Sequence, residues 1–464
     1  MEINMIKSIA KVLASNALLT IVGLINSFFF PIILNIDEYA CYQEYILYIS
    51  YVNICHLGVA SGMFLNYVGQ NYEKIDKKQY KSEILLIFSV LGLFTFVGML
   101  ICGIARSYIV LCVVLTIFPQ GIIASFQALY QAWERFTGYS IINAMPKLLF
   151  TIFTMLTYFI AKKISGNYVI TTYLIIQWIV TLYFFVEFMH FTSNVKGNSI
   201  VSTKNMQTTY NGFLITIGNY VNLLFHAIDK QFVHVFYSTF AFAQYSFAMS
   251  AQNIMTIFIT ALANPFYPRL AKENFDKEFI KRIKELLLIF GAYSGCAYFG
   301  VSFFVKIFVS KYQESLKVVS IFFAVFPAMA VINVLYINLY RIRKLLKKYI
   351  FTLIGILFTT IILSYLFIIF KGNYVDIAFA TMISYYLWFL YSQIDFDEIN
   401  ISRKDIIYLI GYFLIYFILI EIKNEVLGFL IYTLLISLWN FIVYRSTVKY
   451  VFAKVHEKLF YGGM

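Results

Sequence analysis

Apolar segments of about twenty residues, the length needed to cross a hydrocarbon core, follow one another along the whole chain. Short polar loops part them, and Lys and Arg crowd into alternate loops. Windows of that length predict spans at 12–34, 40–67, 84–105, 108–131, 141–161, 168–190, 210–237, 241–265, 286–309, 317–340, 350–370, 374–394, 406–422 and 426–444. The second, seventh and eighth of these carry several polar residues each, so a count of twelve is also compatible with the pattern. Inside a bilayer every backbone polar group must be satisfied within the segment, and unbroken apolar runs suit helices and not a β-barrel. The expected fold is an all-α polytopic membrane protein with 12–14 transmembrane helices.

The polar connection TSNVKGNSIVSTKNMQ at 192–207 divides the pattern. It predicts a first lobe of six spans over 1–191, a cytoplasmic linker over 192–208, a second lobe of six spans over 209–395, and two additional spans with a tail over 396–464. Ala40-Cys41-Tyr42 opens the second span and Ala243-Gln244-Tyr245 the eighth, as a pseudo-twofold repeat along the membrane normal requires. The stretch FYPRLAKENFDKEFIKRIKELL, between the eighth and ninth spans, has helical apolar spacing on a charged background and predicts an interfacial amphipathic helix.

Composition agrees: 61% of residues are hydrophobic and 13% charged, and mean hydropathy is +0.77. Soluble domains carry about a quarter charged residues. With the N-terminus inside, 26 of the 36 Lys and Arg fall in cytoplasmic loops, eight on the opposite side, and only Lys147 and Lys230 within spans. The net charge of +13 therefore sets orientation, with both termini cytoplasmic, and adds attraction to anionic lipid headgroups; it does not point to nucleic acid. The five cysteines lie in or at the ends of spans with no CxxC, which suits small packing residues.

Ionisable groups inside a bilayer cost about 2.5–3.5 kcal/mol each on insertion scales, so the few present are the candidates for chemistry. Asp229 and Lys230 sit in the seventh span, with His226 and His234 one turn from Lys230. They read either as a titrating or substrate-contacting cluster or as an interhelical ion pair. Lys147 follows Pro146, which predicts a kink; it reads as an anion-binding cation or as a side chain snorkelling to the interface. Glu44 leads Asn53, His56 and Asn66 along one span, and Glu187 reads as a solvated group near a helix end. Tyr42, Tyr45, Tyr48 and Tyr51 recur every three residues and read either as lipid-facing and interface packing or as one drifting stripe for stacking on sugars. There is no P-loop, no metal-spaced His or Cys group, no catalytic triad and no outer loop roomy enough for a catalytic domain. The class left is a transporter that needs no cofactor and is not an enzyme, with its site near the midplane and alternating access.

Two stretches resemble a family. The run Asn16 to Pro31 followed by DEYACYQEY is one. The other is IDKQFVHVFYSTFAFAQYSFAMSAQNI leading to NPFYPRLAK, with the pair Asp229 and Lys230, a small-x-Tyr-x-x-Ala element at Ala243, Tyr245 and Ala248, and a terminal Tyr267-Pro268. The order of elements is similar to the Wzx-type O-antigen flippases of the multidrug/oligosaccharidyl-lipid/polysaccharide exporter superfamily. That resemblance implies translocation of an undecaprenyl-diphosphate-linked oligosaccharide across the bacterial plasma (inner) membrane, with ion coupling. The cationic role towards the diphosphate then falls to Lys147 and Lys230, while the residue reading offers Tyr45 and Tyr48 for the glycan and Asp229, Glu44 and His226 as ion-coupling candidates. The resemblance also implies membrane lipids, a polysaccharide polymerase and a chain-length regulator as partners. The chain departs from the family in having Ala at 40 and 243 where Gly is usual. It also shows no Arg in the first, second or eighth spans, where the related peptidoglycan-precursor flippases carry them. An ion-coupled multidrug exporter of the same superfamily, with Glu44 as its carboxylate, and a membrane-embedded polysaccharide polymerase are the alternative readings.

Overall fold

The computed structural model describes residues 2–450 except 71, 73, 74, 194, 196–198, 273–276 and 397–401; side chains are described from residue 15 onward, except also 105, 261, 262, 264–269, 271 and 272. Among the described residues all regular structure is helical. The helices are α1 (Glu2–Ile33), α2 (Ile36–Tyr51), α3 (Val59–Tyr67), α4 (Lys77–Ala105), α5 (Tyr108–Ala132), α6 (Phe136–Ala161), α7 (Gly166–Phe191), α8 (Thr203–Phe236) and α9 (Thr239–Lys272). There follow α10 (Lys277–Phe308), α11 (Ser315–Ala324), α12 (Phe326–Val331), α13 (Ile337–Ile342), α14 (Leu346–Ile369), α15 (Tyr374–Ile394), α16 (Arg403–Leu419) and α17 (Glu425–Val443). Each of the fourteen expected spans falls on one helix or one bent pair.

Among the described residues nine helices are long and apolar enough to cross a membrane, or up to eleven when two bent pairs are counted as spans. Of the spans expected to be weak, the second is one of the bent pairs, and α8 and α9 fall outside the nine. The first bend, 59° between 36–56 and α3, follows from two consecutive left-handed residues, Leu57 and Gly58, at φ 48° and 88°. Gly58 suits that conformation, and its N–H donates to His56 Nδ1 at 3.1 Å. The second bend, 46°, lies between α11 and α12, where Pro327 lacks the N–H that would continue the ladder. A π turn at Ile332–Tyr336 then joins α12 to α13.

One expectation is corrected here. The charged connection after the eighth span is not a separate interfacial helix: α9 runs on to Lys272 and α10 starts at Lys277. Its apolar positions Ile280, Ile283 and Leu287 are buried, because the amphipathic stretch is the first turns of a long helix packed on its neighbours.

Contacts divide the chain into two units, 1–227 and 228–464, and α8 runs through the division. The expected boundary at 192–208 lies partly outside the described residues. In the first unit, 56% of the apolar window of α5 is buried, against 17% for α4, so α5 is central and α4 turns Leu93, Phe96, Leu100 and Ile104 outward, as a lipid-facing helix does. Pro119 inside α5 leaves the Leu115 carbonyl without its helical donor, and the Trp178 indole N–H of α7 donates to it at 3.2 Å.

The sequence GVASG at 58–62 places two glycines one turn apart on the face that meets α8. A Cβ on Gly62 would overlap the Thr208 carbonyl, and one on Gly212 would overlap the backbone of Gly58 and Gly62. Backbone meets backbone there, so no side chain can yield. Gly62→Ala is expected to destabilise the first unit by about 1–3 kcal/mol, the range for overpacking, read as a lower melting temperature in detergent; unchanged melting would show that α3 and α8 do not meet this closely.

In the second unit α15 is the most buried of the long apolar helices. The two last spans, expected as an appendage to a twelve-helix core, are bonded into this unit. Tyr408, Tyr412 and Tyr416 follow one face of α16 at four-residue spacing. Their hydroxyls donate to Asn440 Oδ1 at 2.7 Å, the Phe323 carbonyl at 3.3 Å and the Ser320 carbonyl at 2.9 Å. Lys284 of α10, counted by position as a loop charge, is fully buried and meets Asp405 Oδ2 of α16 at 2.6 Å.

Candidate functional site

Asn143, Lys147 and Thr151 of α6 lie at i, i+4 and i+8, which puts them on one helical face. Neighbouring helices hold the outer two. Gln127 of α5 donates to Asn143 Oδ1 at 3.0 Å, and Asn143 donates to Asn16 Oδ1 of α1 at 3.5 Å. Asn26 of α1 donates to the Thr151 hydroxyl at 2.9 Å, and that hydroxyl donates in turn to the Lys147 carbonyl at 2.9 Å. The amides and hydroxyl thus satisfy one another and frame Lys147, whose side chain is exposed.

α6 begins at Phe136, five residues before the expected span, so Lys147 lies about 16 Å along a helix of about 39 Å at 1.5 Å per residue. A four-carbon stem at that position reaches about one turn along the helix towards either end. Pro146 lies inside α6, which is continuous through it. Among the described residues no carboxylate pairs with Lys147. The arrangement is a cation at mid-helix, framed by neutral hydrogen-bonding groups, and it suits an anionic oxygen ligand.

α2 presents a second polar face to the same unit. Glu44, Tyr48 and Tyr51 are half-buried along one side, and Tyr51 meets Tyr220 of α8 edge to face at 6.4 Å. The tyrosine stripe is corrected. Three residues advance a helix by about 300°, so the line drifts by about 60° per step and crosses from one face to another. Tyr45 therefore lies fully buried, hydrogen-bonded to Thr116 Oγ1 at 2.7 Å and edge to face with Tyr173, and Tyr42 packs between Phe30 and Phe150. Tyr48 and Tyr51 remain on the accessible side. Beside them, a cavity of about 210 Å³ is lined by Asn53, His56, Ser61, Thr216, Asn219 and Tyr220.

In the second unit Asp229 is buried at the meeting of α8, α9 and α15. Its Oδ2 accepts from the Tyr245 hydroxyl at 3.0 Å and the Thr381 hydroxyl at 3.1 Å, and its Oδ1 accepts from the Lys230 N–H at 2.7 Å. These bonds fasten three helices through one carboxylate. The Lys230 ammonium stands 5.4 Å from the centre of the Phe242 ring, which also meets His234 edge to face. His226 is exposed, with its ring beside Phe225. Ala243 and Tyr245 of the resembling motif are fully buried; Tyr267 and Pro268 have side chains outside the described residues. Glu187 accepts from the Tyr130 hydroxyl at 2.6 Å and lies 4.0 Å from Arg135, half-exposed at a helix end.

Sequence reasoning missed Asn143, Thr151 and Gln127, although the four-residue spacing on either side of Lys147 carried the signal. It also missed Glu83, which is fully buried.

Neither a protein-family model nor a curated protein matches the chain. Among solved structures it is similar to the lipid II flippase MurJ in its inward closed conformation, with a TM-score of 0.70 at 16% identity, over 94% of this chain and 99% of that one. The fold of this chain is that of the lipid II flippase MurJ.

Proposed function

We propose that the chain moves a lipid-linked oligosaccharide from the inner to the outer leaflet of a bacterial plasma membrane, with both of its termini on the cytoplasmic side. The observation that carries this reading is Lys147, a mid-helix cation framed by Asn143 and Thr151 on the polar face of the first unit. A polyprenyl diphosphate carries negative charge that must be met inside the membrane while its tail stays in lipid, and a lysine so placed supplies it. The likeness in fold to a lipid II flippase supports the same class of cargo. Within that class we assign a surface-polysaccharide repeat unit of O-antigen type, on the sequence motifs and on the absence of Arg from the first, second and expected eighth spans. α9 continues past that expected span, and Arg269 on its last turns has a side chain outside the described residues.

Tyr48, on the accessible face of α2, is the residue we assign to stacking on sugar. Glu44 on the same face is the carboxylate we assign to coupling a proton or Na⁺. Asp229 is already committed to two hydroxyls, and Lys230 serves as the cation of the second unit.

The test is deletion of the gene in its source bacterium and analysis of lipid-linked saccharides by leaflet. Complete repeat units are expected to accumulate facing the cytoplasm, with relief by the wild-type copy. Normal surface glycan with no accumulation, in a strain shown to lack a second flippase, would overturn the reading and favour export of cationic drugs through Glu44.

A further inference from the structure

Where α3 ends and α4 begins, a buried polar network joins both to the first turns of α8. Glu83, at 0% exposure, is its centre. Glu83 Oε1 accepts from Gln79 Nε2 at 3.0 Å, the Thr208 hydroxyl at 3.0 Å and Asn66 Nδ2 at 3.3 Å. Glu83 Oε2 is buried and has no hydrogen-bond partner.

Gln79 Oε1 is buried and equally bare, and its orientation is fixed. The amide nitrogen donates both to Glu83 Oε1 and to Asn205 Oδ1, at 2.8 Å, so turning the amide would set oxygen against oxygen twice. Asn205 is held in turn, because its own amide nitrogen donates to Ser82 Oγ at 2.8 Å and the Ile200 carbonyl at 2.7 Å. The Tyr67 hydroxyl is a third buried oxygen and lies beside the Glu83 carboxylate.

Tyr67, Gln79 and Glu83 line one cavity of about 380 Å³, which also holds Asn66, Thr208 and the exposed Asp76 and Lys204. Among the described residues Glu83 makes no ion pair. Asp76 Oδ1 caps the N-terminus of α4 through the N–H groups of Lys78 and Gln79. A buried carboxylate oxygen and an amide oxygen locked beside it are costly to leave unsatisfied. Hard cations take such oxygens as ligands, and the number of charged ligands sets which cation is held.

We propose that this cavity binds a monovalent metal cation, with Glu83 Oε2 and Gln79 Oε1 as protein ligands, the Tyr67 hydroxyl turned towards it and water completing the shell. A single buried carboxylate among neutral oxygens, with Lys204 at the same cavity, disfavours a divalent ion. Because Thr208 and Asn205 belong to α8, the cation fastens the start of that helix to α3 and α4.

The test is thermal melting of the purified full chain in detergent, titrated with Na⁺ against choline at constant ionic strength. Melting is read without transport, so the result is independent of the proposed function. Na⁺ is expected to raise the melting temperature of the wild-type chain and of a Glu44→Gln/Asp229→Asn variant alike. The rise is expected to vanish in Glu83→Gln. Gln79→Met, which keeps the carboxylate, is expected to move the Na⁺ midpoint up about tenfold, equal to about 1.4 kcal/mol, and provides the reading should Glu83→Gln fail to fold. Identical melting of the wild type in Na⁺ and choline, or a Na⁺ response that survives in both variants, would overturn the proposal.

Discussion

A Lys147→Ala chain is expected to fold normally and to bind undecaprenyl-diphosphate saccharide about ten- to a hundredfold more weakly than the wild type. That factor corresponds to loss of a charge-assisted hydrogen bond of about 1.5–3 kcal/mol. Normal folding is expected because the side chain is exposed, and because Asn143, Gln127, Thr151 and Asn26 bond to one another and not to the ammonium. Lys147→Arg should retain most of the affinity, since an anionic oxygen accepts from either cation. Binding is measured on purified chain in detergent by titration with the lipid, with melting temperature as the control for folding. Equal affinity in the wild type and Lys147→Ala would remove Lys147 from the site. Asn143→Leu makes a useful contrast, because it breaks bonds to α1 and α5 and should lower stability as well as affinity.

The second large effect is on stability. Lys284→Met is expected to destabilise the second unit by about 3–5 kcal/mol, the cost of leaving a buried charge without its partner. Asp405 would remain with Tyr444 on Oδ1 at 2.7 Å and the Ser402 N–H on Oδ2 at 3.0 Å, but with no cation. The double variant Lys284→Met/Asp405→Asn removes both charges and should recover a substantial part of the loss, whereas independent contributions would add. Melting of the four chains in detergent completes the cycle. Additive losses would show that the two side chains do not act as a pair.

These two lysines show how far position in sequence can mislead. The apolar windows place Lys284 and Asp405 just outside spans, and Glu83 one residue before one, so all three read as loop charges. In the structure α10 begins nine residues before its expected span, α4 seven and α16 three, and each charge lies on a helical turn packed against neighbours. A hydropathy window cannot register a charged turn that belongs to a helix, because it scores the mean and not the partner. Lys147 shows the converse: its presence within a span was legible, and its exposure was not.

The tyrosines of α2 separate the two kinds of knowledge. Their three-residue spacing was plain in the sequence, yet only packing decided that Tyr45 joins Thr116 in the core while Tyr48 stays accessible. The same holds for Asp229, whose place within a span was legible while its bonds to Tyr245 and Thr381 were not. The GVASG glycines were visible as residues, and their contact with Gly212 was not.

By itself the sequence determined the class of protein and the fourteen apolar elements. The reason is that a bilayer imposes a local requirement, about twenty apolar residues per crossing, which each segment meets or fails on its own. Only the tertiary structure decided which polar groups are spent on one another and which remain available. That choice depends on partners more than a hundred residues distant, as Lys284 with Asp405 and Glu83 with Thr208 demonstrate.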